Sequence, residues 1–460
     1  MAKTKAPRLK ENRLPFWKFM AWKSSDVASA ASFLIVNTYL TMFCSDFLGM
    51  DPAVVGTILL VSNIIDFITD IIGAIIVDNT NTKWGRGRPY DLGIVGVTIC
   101  TLLLFATPNN WSMTVKVLWV FFVYTFEFGV FNTLRAAANN PYTIRAWKNN
   151  KTLIGKQSSF GGVVTTLGSM VVSISFPRLM ATMATSPEGW LPLVAIYMIP
   201  LTVIGTLRFI FCKEDTSIKL DKEGQKVDLK TLWSMAKKNK YVWFYFGIYF
   251  MFNTIQSLGT AAYYWKYIVG DTSMMGIISI FGTLMLPLMF FFPIFLKRFH
   301  ASQIMAFGTI VAACGYLLNF FAGDSVPMLM GAGLLTGFAM LPISYLNMML
   351  IMDLATYNDY LGLPRMEASV SAIFNGFGTQ LGQGVGGFIT GILLSAAGYV
   401  TAAGDSITAQ PDSAITMIRC LHSLLPLALM LVTFFCARKL GKLGKEIPEI
   451  EKTLAERNAQ

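Results

Sequence analysis

The sequence predicts an all-α membrane protein of twelve transmembrane helices in two six-helix halves. Three observations lead there. Only 14% of the 460 residues are charged, whereas 54% are hydrophobic and 13% aromatic; a soluble domain carries about 25% charged residues to wet its surface. Apolar runs long enough to cross a bilayer, which takes roughly twenty residues, recur along the whole chain. One long charged connector, Lys213 to Lys240, splits those runs evenly.

Taken in order, the predicted spans centre near residues 38, 64, 99, 126, 168 and 201, then 252, 285, 311, 339, 383 and 426. Gly49–Pro52, Pro108–Trp111 and Ala322–Ser325 read as tight turns between them. The expected organisation is a first half over 1–212, a cytoplasmic loop over 213–240, a second half over 241–437 and a cytoplasmic tail over 438–460. The polar, basic first 24 residues lack the short apolar core of a cleavable signal, so the first span drives insertion.

Lys and Arg concentrate on alternate connectors: the N-terminal stretch, the loop with Lys83, Arg86 and Arg88, the loop with Arg145 and Lys148, the long connector, Lys297 with Arg298, and the tail. The opposite side carries Lys116, Arg178, Lys266 and Arg419. That asymmetry places both termini in the cytoplasm of a multi-pass cell-membrane protein. The net charge of +11 then reflects loops lying against anionic lipid, and no nucleic-acid partner is expected. The 6 cysteines are scattered through apolar segments with no metal-ligand or disulfide spacing, and read as buried free thiols.

A weak internal echo accompanies the six-plus-six split. The first span ends in an aromatic stretch from Tyr39 to Gly49 containing Asp46, and the seventh ends in another from Tyr263 to Asp271. Two similar halves around a central cavity are the layout of a transporter.

Charged residues within apolar spans carry the functional signal. A carboxylate at mid-bilayer costs about 2.5–3.5 kcal/mol on insertion scales, and the second span holds two, Asp66 and Asp70. Their i,i+4 spacing puts them one turn apart on one face. Two acids there repel, and a bound Na⁺, Li⁺ or H⁺ relieves the repulsion; Asn63 extends the stripe by a turn. The fourth span contains Glu127, Asn132, Arg135, Asn139 and Asn140. An Arg in that setting faces an acid, either Glu127 or one on the second span, or a polar ligand. The eleventh span is glycine-rich, with Asn375, Gln380 and Gln383 among the glycines. Its small residues suit close helix packing, and its amides suit a polar cavity. His300 and His422 are too few for a metal cluster and read as interface residues, and no phosphate loop or hydrolase motif occurs. Any pumping therefore draws on an ion gradient, with no cofactor beyond the coupling ion.

Between the second and third spans runs Gly73-Ala-Ile-Ile-Val-Asp78-Asn79-Thr80, followed by Trp84-Gly85-Arg86-Gly87-Arg88-Pro89. This stretch resembles the signature loop of the major facilitator superfamily. More narrowly, it resembles the glycoside-pentoside-hexuronide:cation symporters, the melibiose-carrier group. The resemblance implies that Asp66 and Asp70 are paired cation-binding carboxylates completed by Thr133. It also implies that Asp353, Tyr357, Arg365 and Glu367 belong to a cytoplasmic gate. The residues that grip galactoside hydroxyls in that family align here with Ala30 and Ala136, with Asp26 a turn before Ala30, and the family's fifth-helix Arg aligns near Ser159, with Lys156 the closest basic group.

The expectation is a monomeric secondary transporter carrying a sugar, glycoside or sugar acid with Na⁺, H⁺ or Li⁺. Asp66, Asp70 and Thr133 bind the ion. Asp26, Arg135, Asn139, Asn140 and Asn375 line the solute site. Asp78, Arg86, Arg88, Asp353 and Arg365 form the gate. Two other readings fit the sequence: a lysolipid carrier of the same superfamily, which needs a lateral apolar opening, and a membrane sensor that binds solute without moving it.

Overall fold

The structure, a computed structural model, describes residues 14–148, 150–217, 229–276, 292–296, 298–363, 370–401 and 409–458. The predicted span near 285, and the predicted gate residues Arg365 and Glu367, lie outside the described residues. The described chain is helical, with an isolated bridge from Thr82 to Gly85 in a loop. Nine helices among the described residues are long and apolar enough to cross a membrane. They correspond to nine of the twelve predicted spans. The spans near 252 and 383 are also helical, over Tyr241–Gln256 and Phe377–Ala396. This is the all-α membrane architecture read from the sequence.

The elements are α1 Phe16–Asp46, α2 Pro52–Asn79, α3 Arg88–Phe105, α4 Met113–Ala146, α5 Lys151–Met183 and α6 Pro187–Phe211. There follow α7 Leu229–Lys238, α8 Tyr241–Gln256, α9 Thr260–Tyr264, α10 Ala301–Ala322, α11 Val326–Tyr345 and α12 Asn347–Tyr360. The last are α13 Phe377–Ala396, α14 Asp412–His422 and α15 Leu424–Asn458. Every backbone amide and carbonyl in hydrocarbon needs an internal partner, which a helix supplies. Outer faces are correspondingly apolar, with Phe122, Val203 and Phe435 each more than 60% exposed. Wide π-helical turns interrupt the α pattern at Glu127–Asn132 inside α4, at Trp265–Val269 after α9 and at Val370–Gly376 before α13. Such turns mark functional segments of helices more often than chance.

Two compact units emerge: residues 1–43 with 65–221, and residues 44–64 with 222–460. The first has an aromatic core in which the Trp190 ring stacks on Phe105, centroids 5.5 Å apart, and meets Phe43 at 5.3 Å. Gly96 on α3 has no room for a Cβ because the Phe131 ring of α4 fills the space.

The second unit packs α10 closely on α11, with Pro342 against Gly308 and Leu335 against Gly315. The glycines of α13 are packing glycines: Gly378, Gly382 and Gly386 lie against α8, and Gly384 and Gly387 against Leu60 and Leu59 of α2. The tip formed by the end of α1 and the start of α2 is tied into this unit. Asp46, 2% exposed, accepts hydrogen bonds from Lys266 and Tyr399 and, at 2.9 Å, from Tyr267. The ends of the two echoing aromatic segments thus meet.

Three local expectations change. The connector expected over 213–240 contains the helix α7. The tail expected from 438 is a continuation of α15, because Leu440, Leu443, Ile447 and Ile450 form a helical stripe buried in the second unit's core. Cys314 is exposed, while Cys44, Cys100 and Cys212 are buried, and all six thiols are free. The histidines have structural partners: His300 caps α10 through its side chain, and His422 lies against the Tyr264 ring at 4.4 Å.

Candidate functional site

In the first unit α2 presents Asp66 and Asp70 toward Thr133, the residue that follows the π turns of α4. The Thr133 hydroxyl lies 2.8 Å from Asp66 Oδ1, 3.0 Å from Asp70 Oδ1 and 3.1 Å from the Phe128 carbonyl oxygen. A hydroxyl has a single hydrogen, so it serves one of these acceptors at a time. The result is a pocket of hard oxygens from two carboxylates, a hydroxyl and a carbonyl. The π turns create it: they bring the Phe128 carbonyl under both the Thr133 amide and its hydroxyl. Asn63 does not extend this stripe; its side-chain amide donates to the Leu59 carbonyl at 2.7 Å, within the second unit.

A second polar assembly in the first unit centres on Asp91 and Arg208. Arg208, its side chain 5% exposed, donates to Asp26 Oδ1 at 2.8 Å and to Asn139 Oδ1 at 2.9 Å, and its Nε lies 3.4 Å from Asp91. Its guanidinium lies 4.2 Å from the Trp22 ring centroid. Arg135 donates to Ser29 at 2.6 Å and Ser25 at 2.8 Å and approaches Asp91 at 3.9 Å. Ser25 donates to the same Asp91 oxygen at 2.9 Å, and Lys23 pairs with Asp26 at 2.8 Å. The acid facing Arg135 is therefore Asp91, not Glu127 or an acid of the second span. Asn140 is exposed on α4. Asn375, in the second unit, donates to the Tyr245 hydroxyl at 3.4 Å and accepts from Thr379 at 3.1 Å.

The loop before α3 is clasped by a residue the sequence reading passed over. Glu214 accepts the backbone amides of Arg86 at 2.9 Å, Gly87 at 2.7 Å and Arg88 at 2.5 Å, and pairs with Arg145 at 3.4 Å. The Arg88 side chain donates to the Phe209 carbonyl at 2.8 Å. Asp78 is the last residue but one of α2, and its side chain lies outside the described residues. Asp353 pairs with His300 at 2.9 Å in the second unit.

The missed residues had a legible signal. Arg208 sits between Leu207 and Phe209 inside an apolar run, and Asp91 opens the third span. Both lie near the ends of their spans, where a charge costs less than at mid-bilayer, so their signal is weaker than that of Asp66 and Asp70.

Charged groups such as Asp66, Asp70 and Arg135 persist within membrane spans where ions or solutes cross, and they point to the class of membrane transporters. Residues 22–439 match the family described as MFS/sugar transport protein, and the chain belongs to that family. It is a multi-pass secondary transporter of the major facilitator fold. An isoprimeverose transporter of Lactiplantibacillus pentosus is 29% identical over 88% of this chain and 85% of that protein. A glucuronide carrier protein homolog of Escherichia coli is 24% identical over 91% of each. A putative sulfoquinovose importer of the same organism is 23% identical over 90% of this chain and 88% of that one. A solved structure from work on proton dependent oligopeptide transporters shares the fold, with a TM-score of 0.66 at 13% identity over 94% of this chain and 99% of that one.

Proposed function

We propose that the protein is a cation-coupled symporter that imports a sugar, and specifically a sugar acid, across the cell membrane with both termini in the cytoplasm. The coupling cation is Na⁺, H⁺ or Li⁺, held by Asp66, Asp70 and Thr133. The protein acts as a monomer. The observation that carries this reading is the Thr133 hydroxyl within 3.0 Å of both carboxylates, an oxygen cluster whose mutual repulsion a monovalent cation relieves.

Solute recognition falls to Asp26, Arg135, Asn139 and Asn140 of the first unit and Asn375 of the second. Lys23, Arg135 and Arg208 set three positive charges against the two carboxylates of Asp26 and Asp91. The surplus positive charge favours an anionic sugar, in keeping with the glucuronide and sulfoquinovose named for two relatives. Guanidinium groups suit this work because their planar fork matches a carboxylate or sulfonate. Asp78, Arg86, Arg88, Asp353 and Arg365 serve as the gate, with Glu214 holding the loop from which two of them project. Binding of solute and cation is then reciprocal, each raising the other's affinity by the same factor.

One observation favours the lysolipid reading. The first unit has an apolar cleft of 940 Å³ between α1, α5 and α6, lined by residues such as Met20, Val27, Leu167 and Leu207, which suits an acyl chain and not a sugar.

Uptake into proteoliposomes tests the proposal. Neutral glycosides, uronates, sulfonated sugars and lysolipids are presented with and without an inward Na⁺ or H⁺ gradient. A uronate or sulfonated sugar accumulated only with the gradient is the expected result, lost in Asp66→Asn and Asp70→Asn while solute counterflow continues. Uptake indifferent to both gradients, or confined to lysolipids, overturns it.

A further inference from the structure

Six residues before Thr133, at the first of the π turns of α4, stands Glu127, which neither the ion pocket nor the guanidinium network uses. Its side chain is fully enclosed, 0% exposed, between α1, α3 and α4. Oε1 accepts hydrogen bonds from Thr101 of α3 at 3.0 Å and Ser32 of α1 at 3.2 Å, and those two hydroxyl oxygens are themselves 2.9 Å apart. Ser32 and Thr101 are as buried as the acid. Oε2 is buried with no hydrogen-bond partner among the described residues, and no Lys, Arg or His of the described residues forms an ion pair with Glu127. The titratable group that faces it from α3 is the thiol of Cys100; from α1, among the described residues, the Ser32 hydroxyl faces it. Arg135, two turns along α4, is committed to Asp91, Ser25 and Ser29.

An ionised carboxylate enclosed in this way costs several kcal/mol unless something balances its charge, and hydroxyl dipoles supply hydrogen bonds but no charge. A carboxylate with two hydroxyl oxygens, each from a different helix, is a hard-oxygen donor set. It repeats the chemistry of the Asp66, Asp70 and Thr133 pocket on the other side of the same π turns. The orphaned Oε2 marks where a ligand's remaining contact falls.

We propose that Glu127, Ser32 and Thr101 form a second monovalent-cation site inside the first unit, separate from Asp66 and Asp70, that holds either a proton or Na⁺. The proposal does not rest on coupling at the first site, and its test removes that site.

The full-length protein is purified as the Asp66→Asn/Asp70→Asn double variant and as the triple variant that adds Glu127→Gln. Thermal unfolding is followed in NaCl against choline chloride, and across pH 5.5–8.5. A ligand that binds only the folded state raises its Tm by mass action. Stabilisation of the double variant by NaCl that disappears in the triple variant identifies Na⁺. A double-variant Tm that falls as pH rises, flattened in the triple variant, identifies a proton, because the folded state then binds more protons than the unfolded chain. Identical salt and pH responses in the two variants overturn the proposal. Should Glu127→Gln not fold, Ser32→Ala/Thr101→Val in the double-variant background keeps the carboxyl and strips both hydroxyl contacts. Where Na⁺ is the ligand, a tenfold or greater weakening of the salt response is then expected; where it is a proton, the pH response should extend to higher pH, because donors to a carboxylate favour its charged form. An unchanged response overturns the site. If transport by the wild type proves independent of every cation gradient, the symport reading fails while this binding test stands.

Discussion

Asp46 anchors the tip of α1 and α2 in the second unit, and its loss has a calculable local consequence. The carboxylate is 2% exposed and takes hydrogen bonds from Lys266, Tyr267 and Tyr399, while neighbouring Ser45 accepts from Tyr263 at 3.3 Å. Removing one partner of a buried ion pair costs about 3–5 kcal/mol. The Lys266 side chain is 22% exposed and regains some water, so Asp46→Ala is placed at the lower end, about 3 kcal/mol. Cys44, two residues away, is 0% exposed and reacts with a maleimide only when the tip opens. At a tenfold change per 1.4 kcal/mol, its labelling in a background with the other cysteines replaced should accelerate about 150-fold. Tyr399→Phe removes one donor and keeps the carboxylate, which separates opening from a change in the local field. About 1 kcal/mol and roughly fivefold are expected there. Labelling of Asp46→Ala within threefold of the parent would refute the reasoning, since the contacts would then not be what holds the tip down.

Four further outcomes follow from particular contacts. Thr133→Val should weaken cation affinity about tenfold or more, since one hydroxyl ligand is worth at least about 1.4 kcal/mol there, whereas Thr133→Ser should retain it; cation titrations of solute counterflow compare the two. Glu214→Ala releases three backbone amides and Arg145, and a cost of about 2 kcal/mol predicts roughly thirtyfold faster tryptic cutting at Lys83 and Arg86. Gly391→Ala drives a Cβ into the Pro52 carbonyl of the α2 tip and should lower Tm through an overpacking cost of about 1–3 kcal/mol, whereas Gly162→Ala, with nothing within 4 Å of the new Cβ, should not. Arg208→Lys should fail to replace Arg208 in transport, because an ammonium cannot bond Asp26 and Asn139 while lying flat on Trp22; wild-type uptake by that variant would show that the fork geometry is dispensable.

Much of the site was legible where cost and spacing coincide. Two aspartates one turn apart in an apolar run announce themselves, and the family resemblance supplied Thr133, which no periodicity would have isolated. Arg135 was legible as a residue needing a partner, but its partner was not, because Asp91 lies 44 positions away in sequence and only the packing of α3 on α4 makes them neighbours. Arg208 and Glu214 escaped for a different reason: basic and acidic residues at the end of a span read as ordinary interfacial charges. The α15 tail was hidden because its apolar stripe is diluted by the lysines and glutamates on its other face, so average hydropathy falls while helical periodicity persists. The glycines of α13 carried both a packing and a cavity reading, and their close contacts with α8 and α2 decide for packing.

The acids of the first unit divide by the chemistry of their partners. Asp26, Asp91 and Glu214 meet guanidinium or ammonium groups, whose positive charge is covalently part of the chain. Their balance cannot leave the protein, so they suit fixed structure and the orientation of Arg135 and Arg208. Asp66 and Asp70 share a threonine hydroxyl, and Glu127 meets a serine and a threonine. A hydroxyl orients a carboxylate without neutralising it. For Glu127, which forms no ion pair among the described residues, that gives a physical reason for hydroxyls rather than a lysine or arginine: a fixed cation would occupy the place of the mobile one. It also orders the expected damage. Substituting a lysine for Thr133 should lock the pocket without a bound ion and abolish cation-dependent accumulation, yet leave the helices paired, and a Thr133→Lys variant that still accumulated solute on a cation gradient would break the link between hydroxyl partners and mobile charge.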